Sequence, residues 1–360
     1  MSKPTQRLHD VGQSLWLDNI TRRMLGDGTL EGYIRDLSVT GLTSNPTIFD
    51  KAISQTEDYD EQIAQDAPGA DSHEELFFKL AIADLSDATK LFHDVHERTA
   101  GVDGWCSLEV SPTIADDTEA TTRQAAKLHA DAACENLYIK IPGTPAGLGS
   151  IEESIYAGVP INVTLLFDDQ QYLAAADAYL KGIERRIAEG KDPVVHSVAS
   201  IFMSRWDVAV KDTVPAELKD KLGIAIGGRA YRAYRELLDS PRMQRLMNEG
   251  ARPQRLLWAS TGTKDPDASD TLYIEAFASP LTVNTMPEPT LHAFADHGEV
   301  GDLMAADGAA AELTLKEIEG AGIDVAALAQ RLQDEGKVAF VKSWEELMKS
   351  IESKSKVVAG

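Results

Sequence analysis

The chain has 360 residues, 43% hydrophobic and 26% charged, which excludes wholesale disorder and leaves ample apolar material for a large core. A formal net charge of -23 makes the surface broadly anionic, so nucleic acid and anionic lipid are not expected as partners. Any phosphate-bearing substrate must then meet a local cationic pocket.

Met1 to Gly12 contains no apolar stretch of signal type, and no later run nears the roughly 20 residues of a membrane span, so a cytoplasmic protein is expected. The first β-rich run, Ser14 to Asp18, closes on a carboxylate, and the second, Val39 to Ser44, leads into Asn45. Glu57 to Phe78 and Glu74 to Glu97 have helical period. The latter carries His93 and His96, three apart. A charged, exposed helix face explains this pair, no third ligand is evident, and no metal is expected.

The third run, Trp105 to Val110, holds Cys106 and Glu109, and Asp116 to Glu119 has capping-box spacing that starts a helix over Asp117 to Ala133. Cys106 and Cys134 are the only cysteines, too few for a disulfide framework, and read as small buried hydrophobes. Leu137 to Pro142 forms the fourth run around Lys140. Pro160 to Phe167 forms the fifth, with Asn162 and Thr164 on one face. A helix over Asp169 to Glu189 precedes the sixth run, Val194 to Phe202. Val210 to Lys221 reads as added helix and Tyr231 to Asn248 as a crossover helix. Arg255 to Thr261 and Ala276 to Asn284 supply the last two runs. Leu313 to Gln333 is helical in pattern, and Ser353 to Gly360 is expected to fray.

Eight strand-helix units without G-x-G-x-x-G or a P-loop indicate a single (β/α)8 TIM barrel spanning residues 1–360, decorated with additional helices, in preference to an open doubly wound sheet. The chemistry centres on Lys140. An ammonium within an apolar strand is costly to bury, so it must face a polar cavity or give up its proton. A desolvated lysine amine can add to a ketone, and the resulting imine draws electrons from the neighbouring carbon bond. Asp18, Asn45, Glu109, Asn162 and Thr164, at or near the ends of four other strands, supply the proton donors and acceptors that imine chemistry needs. A pyridoxal phosphate enzyme would also use a lysine. No pattern for that cofactor accompanies this one, and no cofactor is expected.

Gly41-Leu42-Thr43-Ser44-Asn45-Pro46-Thr47 and Ile139-Lys140-Ile141-Pro142-Gly143-Thr144 resemble the signature segments of the transaldolase family. Ile161 to Phe167, Ser200 to Arg205 and Trp258 to Thr261 resemble further segments in the same order. The likeness runs from about Leu15 to Pro287, and Thr282 to Pro287 resembles the longer bacterial branch.

The resemblance implies a Schiff base on Lys140, proton transfer at the C4 hydroxyl by Asp18, and a water held by Glu109 and Thr164. It implies hydrogen bonds from Asn45, Asn162 and Ser200 to the dihydroxyacetone hydroxyls, with Phe202 beside a phosphate grip of Arg205, Ser260 and Lys264. Lys264 stands where many relatives have an arginine slightly earlier, and Ile201 where they often have proline. The implied activity is transfer of a dihydroxyacetone unit between phosphorylated sugars in the non-oxidative pentose phosphate pathway. A fructose-6-phosphate aldolase is an alternative, but that subgroup carries glutamine and tyrosine where this chain has Glu109 and Phe202. A catalytically silent sugar-phosphate-binding barrel is the other alternative. The chain would act as a monomer or homodimer, with either fructose 6-phosphate or sedoheptulose 7-phosphate as donor.

Overall fold

The computed structural model describes residues 3–358. Its sheet contains β1 (Gln13–Asp18), β2 (Val39–Thr43), β3 (Cys106–Glu109), β4 (Leu137–Pro142), β5 (Ile161–Leu166), β6 (Ser197–Phe202), β7 (Arg255–Ala259) and β8 (Thr282–Met286). They pair in parallel in the order β2-β1-β8-β7-β6-β5-β4-β3. The remaining seam, β2 to β3, closes through Gly104 N–H to the Thr40 carbonyl at 2.8 Å and Leu42 N–H to the Trp105 carbonyl at 2.9 Å. Helices surround the strands, giving a (β/α)8 barrel as expected. No described helix is long and apolar enough to cross a membrane.

Gly41 makes the seam possible. A Cβ there would lie 2.7 Å from the Trp105 carbonyl oxygen and 2.7 Å from Trp16 Nε1, and that indole is pinned by its 2.9 Å bond to Asp103. Gly41→Ala is therefore expected to destabilise the fold by about 1–3 kcal/mol in urea denaturation.

The lower half of the barrel is solid. Trp105 stacks on Tyr138 with centroids 4.1 Å apart, Trp16 lies 6.1 Å from Tyr138, and Asp103 accepts from Trp16 and Ser14 with the Arg255 guanidinium 3.7 Å away. This plug leaves the C-terminal ends of the strands as the place where polar side chains can meet a cavity.

Several boundaries differ from expectation. Val194 to His196 lie outside the strand, with only the His196 carbonyl reaching Ile161 N–H of β5 at 3.3 Å, and β6 starts at Ser197. The eighth strand begins six residues later than its pattern suggests, because Leu272–Ala276 is helical and Leu281 turns the backbone at φ 66°. Val210 to Lys221 is mostly loop with one short 3-10 turn, Ala216–Leu218. Glu57 to Phe78 contains separate pieces, among them Asp60–Asp66 and the start of His73–Arg98.

The Tyr231 to Asn248 pattern divides into Leu222–Leu238 and Pro241–Asn248. Pro241 lacks an N–H, and Ser240 caps the second helix by accepting from Met243 N–H. Leu313 to Gln333 divides likewise into Ala309–Gly320 and Val325–Val358, across Gly322 at φ 94°. Residues 353–358, expected to fray, continue this C-terminal helix. Lys354 Nζ holds them by donating to the Thr56 carbonyl at 2.5 Å and to Asp60 at 2.6 Å. Residues 359–360 lie outside the described residues.

Candidate active site

Parallel pairing places Glu109 beside Lys140, Lys140 beside Asn162, and Pro142 beside Thr164, so inward residues two apart form a polar layer near the C-terminal mouth. Lys140 is 5% exposed, and its Nζ donates to Glu109 Oε2 at 3.1 Å and to the Ser44 carbonyl at 3.0 Å. Asp18, across the barrel, accepts from Thr43 Oγ1 at 2.8 Å. Thr43 is in turn bonded to Thr285 at 2.7 Å, with the Thr285 hydroxyl donating because that of Thr43 is already committed.

Burial raises both carboxyls. For Asp18 the loss of bulk water outweighs the pull of Lys140, the Thr43 hydrogen bond and Lys264. For Glu109 burial outweighs the charge and hydrogen bond of Lys140, and Asp18 adds to the rise. Asp18 nonetheless keeps some surface open to the cavity. A carboxylate with raised proton affinity is a better acceptor for the lysine's proton, or for one released by a substrate hydroxyl, than an ordinary surface carboxylate.

The cavity above this layer measures about 410 Å³. Of the residues singled out from sequence, Asp18, Asn45, Lys140, Thr164, Ser200, Phe202, Arg205, Ser260 and Lys264 line it. Glu109 sits behind Lys140, and fully buried Asn162 sits behind Ser200, receiving its hydroxyl at 2.7 Å and donating to Ser107 at 3.2 Å. Asn162 thus reaches the cavity only through Ser200. Asn45 accepts from Ile48 N–H as the cap of helix Pro46–Gln55, which leaves its amide hydrogens for the cavity. Thr164 Oγ1 is buried without a protein partner, so its bonding capacity is available to whatever enters. Just beyond it, Leu165 at φ 61° bulges β5, and buried Gln333 of the C-terminal helix ties the Leu165 and Gly143 carbonyls at 2.9 and 3.2 Å.

One side of the cavity is cationic. The Arg205 guanidinium lies 5.2 Å from the centre of the Phe202 ring and has no carboxylate within salt-bridge distance among the described residues. Burial disfavours its charge, with partial relief from Glu335. Ser260, at φ 55°, bonds Ser204 at 2.9 Å, and exposed Lys264 stands on the rim. Three such groups around one opening suit an anion such as phosphate.

Arg205 rides on the short helix Ser204–Val210, which is anchored by Asp207. This carboxylate accepts from Leu222 N–H at 2.9 Å, from Gly223 N–H at 3.1 Å and from the Tyr273 hydroxyl at 2.6 Å. Burial pushes it from 3.8 up to about 6, against the lowering effect of those donors. The folded state therefore holds this proton more tightly than the unfolded chain. The associated stability is full below the unfolded value and is lost as the pH rises from about 4 to about 6. Relative to the parent, Asp207→Asn is expected to gain on the order of 3 kcal/mol between about pH 4 and about pH 7 in denaturant titrations.

Sequence reasoning passed over several contributors. Thr43 and Thr285 orient Asp18, and Ser107 anchors Asn162; Thr43 shares the parity of Asn45 and Ser107 that of Glu109, which was the available signal, whereas β8 carried no candidate to point to Thr285. Lys51, Phe340 and Ser343 also line the cavity, the last two from the C-terminal helix, and nothing in their local sequence distinguishes them from an ordinary helix face. The two histidines go separate ways. His96 bonds the Asp103 carbonyl at 3.0 Å, while exposed His93 lies near Glu97 and Glu135. Cys106 is fully buried, which raises its thiol, and Cys134 is half-buried.

A sequence profile described as Transaldolase/Fructose-6-phosphate aldolase matches residues 15–351. The transaldolase of Thermobifida fusca is 43% identical over 357 residues, covering 97% of both chains. That of Saccharopolyspora erythraea is 42% identical over 353 residues, covering 96% of each. Transaldolase 2 of a Nostoc species is 38% identical over 371 residues, covering 98% of this chain and 97% of its own.

Proposed function

Because this chain belongs to the transaldolase/fructose-6-phosphate aldolase family, we propose that it is a transaldolase, moving a dihydroxyacetone unit from a ketose phosphate to an aldose phosphate through a Schiff base on Lys140. The observation that carries this reading is a buried lysine amine, 3.1 Å from a carboxylate of raised proton affinity, opening on a cavity whose far side is cationic.

The amine adds to the C2 carbonyl of the ketose, and Glu109 takes the proton it sheds. Loss of water gives an iminium, with Glu109 and the Thr164 hydroxyl orienting that water. Asp18 then accepts the C4 hydroxyl proton while the C3–C4 bonding electrons move into the iminium, releasing an aldose and leaving a nucleophilic enamine. The acceptor aldehyde reverses the sequence, and water returns to free the lysine. Asn45 and Ser200, backed by Asn162, hold the fragment's hydroxyls. Neutral amides and hydroxyls suit this task because they bind without quenching the iminium charge. Arg205, Ser260 and Lys264 hold the phosphate, with Phe202 packed under the arginine.

Glu109 and Phe202 favour transfer over simple cleavage, since by resemblance the aldolase subgroup carries glutamine and tyrosine at these positions. The same reading takes residues 1–360 as one domain, in the cytoplasm, acting without a cofactor as a monomer or homodimer. Borohydride reduction with fructose 6-phosphate, followed by peptide mass mapping, tests the chemistry. A reduced dihydroxyacetone adduct on Lys140 is expected, and an unmodified Lys140 overturns the proposal. A coupled assay with erythrose 4-phosphate as acceptor then separates transfer from cleavage.

A further inference from the structure

A second cavity, about 560 Å³, opens on the opposite, N-terminal face of the barrel, on the far side of the Trp105–Tyr138 plug from the polar layer. Its chemistry differs from that of the catalytic mouth. Val102, Met247 and Leu281, which line it, are 46%, 43% and 51% exposed, three of the nine large hydrophobic residues that reach solvent among those described. Leu238 and the Tyr234 ring extend this apolar wall. Such a concentration at one opening is unusual for a solvated surface.

The backbone holds one of these residues in place. Leu281 takes φ 66°, an uncommon conformation for a bulky residue, and is fixed on both sides: its N–H donates to the Gly12 carbonyl at 2.9 Å and its carbonyl accepts from the Tyr234 hydroxyl at 2.8 Å. The exposed leucine side chain is therefore presented by a pinned turn and does not belong to a loose loop.

The same opening is cationic within a chain of net charge -23. Arg235 and Arg252 both line it, and neither has a carboxylate within 4.0 Å. Arg235 donates to the Tyr231 hydroxyl at 2.9 Å, while the Arg252 guanidinium makes no hydrogen bond within the described protein. Asp103, at the floor, is committed to Ser14, Trp16 and Arg255, so it does not neutralise the rim; Asp239 is the other carboxylate in the lining. The His196 ring, 5.2 Å from Trp105, makes no hydrogen bond, and burial lowers it to about 4, so it presents a neutral aromatic edge at neutral pH.

Aliphatic walls reject a polyhydroxylated sugar, whose hydroxyls would be left unpaired, whereas uncommitted guanidinium groups beside them match a carboxylate or sulfonate on an apolar body. We propose that the N-terminal cavity is a second binding site, for a small amphipathic anion with an aromatic or branched aliphatic body. Since the plug separates the two cavities, this site is independent of the catalytic one and of the functional reading above.

Fluorescence titration with anilinonaphthalene sulfonate tests the site. Saturable one-to-one binding is expected, weakened at least about ten-fold by Arg252→Gln and by Leu281→Glu, with uncharged phenylnaphthylamine binding at least about ten-fold more weakly than the sulfonate. Both side chains are surface-exposed, and unchanged thermal melts establish that the variants are folded. Binding untouched by either variant, equal binding of the uncharged probe, or displacement of the sulfonate by fructose 6-phosphate each overturns the proposal. So does light scattering that shows a parent dimer dissolved by the two substitutions, because the face then belongs to a second copy of the chain.

Discussion

Lys140→Met is expected to reduce transfer by at least about 10⁴-fold, since Lys140 is the one buried amine lining the cavity among the described residues, while Lys51 and Lys264 are exposed and stay solvated. The loss falls on kcat, and the borohydride adduct disappears with it. The substitution keeps an unbranched side chain, one atom shorter, and leaves Glu109 without its cation. Breaking a buried pair by removing one partner can cost about 3–5 kcal/mol if the remaining charge persists. Here burial already raises Glu109, and removing the opposing pull of Lys140 raises it further, so the acid neutralises itself and limits the damage. The double variant Lys140→Met/Glu109→Gln is accordingly expected to be at least as stable as the single one in denaturant titrations. An active Lys140→Met protein would remove the amine from the mechanism.

Asp18→Asn separates the steps. Imine formation depends on Lys140, whereas cleavage of C3–C4 needs a base at the C4 hydroxyl. The variant is expected to lose about 10²–10⁴-fold in kcat yet still give the borohydride adduct, now with the whole ketose attached. In the parent, the acid limb of kcat/KM should lie above the ordinary aspartate range, because burial raises this carboxyl, and activity is lost as falling pH protonates it. Stability runs the other way. A carboxyl raised by folding contributes stability at low pH that is lost as the pH climbs, so Asp18→Asn should not be less stable than the parent at neutral pH. A kcat loss accompanied by a lower melting temperature would point to structural damage instead.

The strands that carry the central chemistry were legible because burial and period agree there. The β4 run Leu137 to Pro142 is apolar apart from one lysine, and its bounds match the structure. Asp18 and Glu109 close β1 and β3, where a polar residue interrupts an apolar run. Legibility failed where tertiary contacts set the boundary. The β-like residues at 276–281 include Pro280 and a positive-φ Leu281, and they lead into a strand without joining it. The expected fraying of 353–358 overlooked the bonds of Lys354 to a segment almost three hundred residues away. Asn162 was chosen for the right face, but its sequence could not reveal that Ser200 stands between it and the cavity.

The C-terminal helix gives the cavity a dependence on the order of synthesis. A nascent chain halted before Val325 already contains all eight strands and the Lys140–Glu109 pair. It lacks the wall formed by Phe340 and Ser343 and the Gln333 clasp on the β5 bulge. The Lys140 amine is therefore made long before its enclosure, and its shelter from water waits for the helix that begins at Val325 to be synthesised and docked.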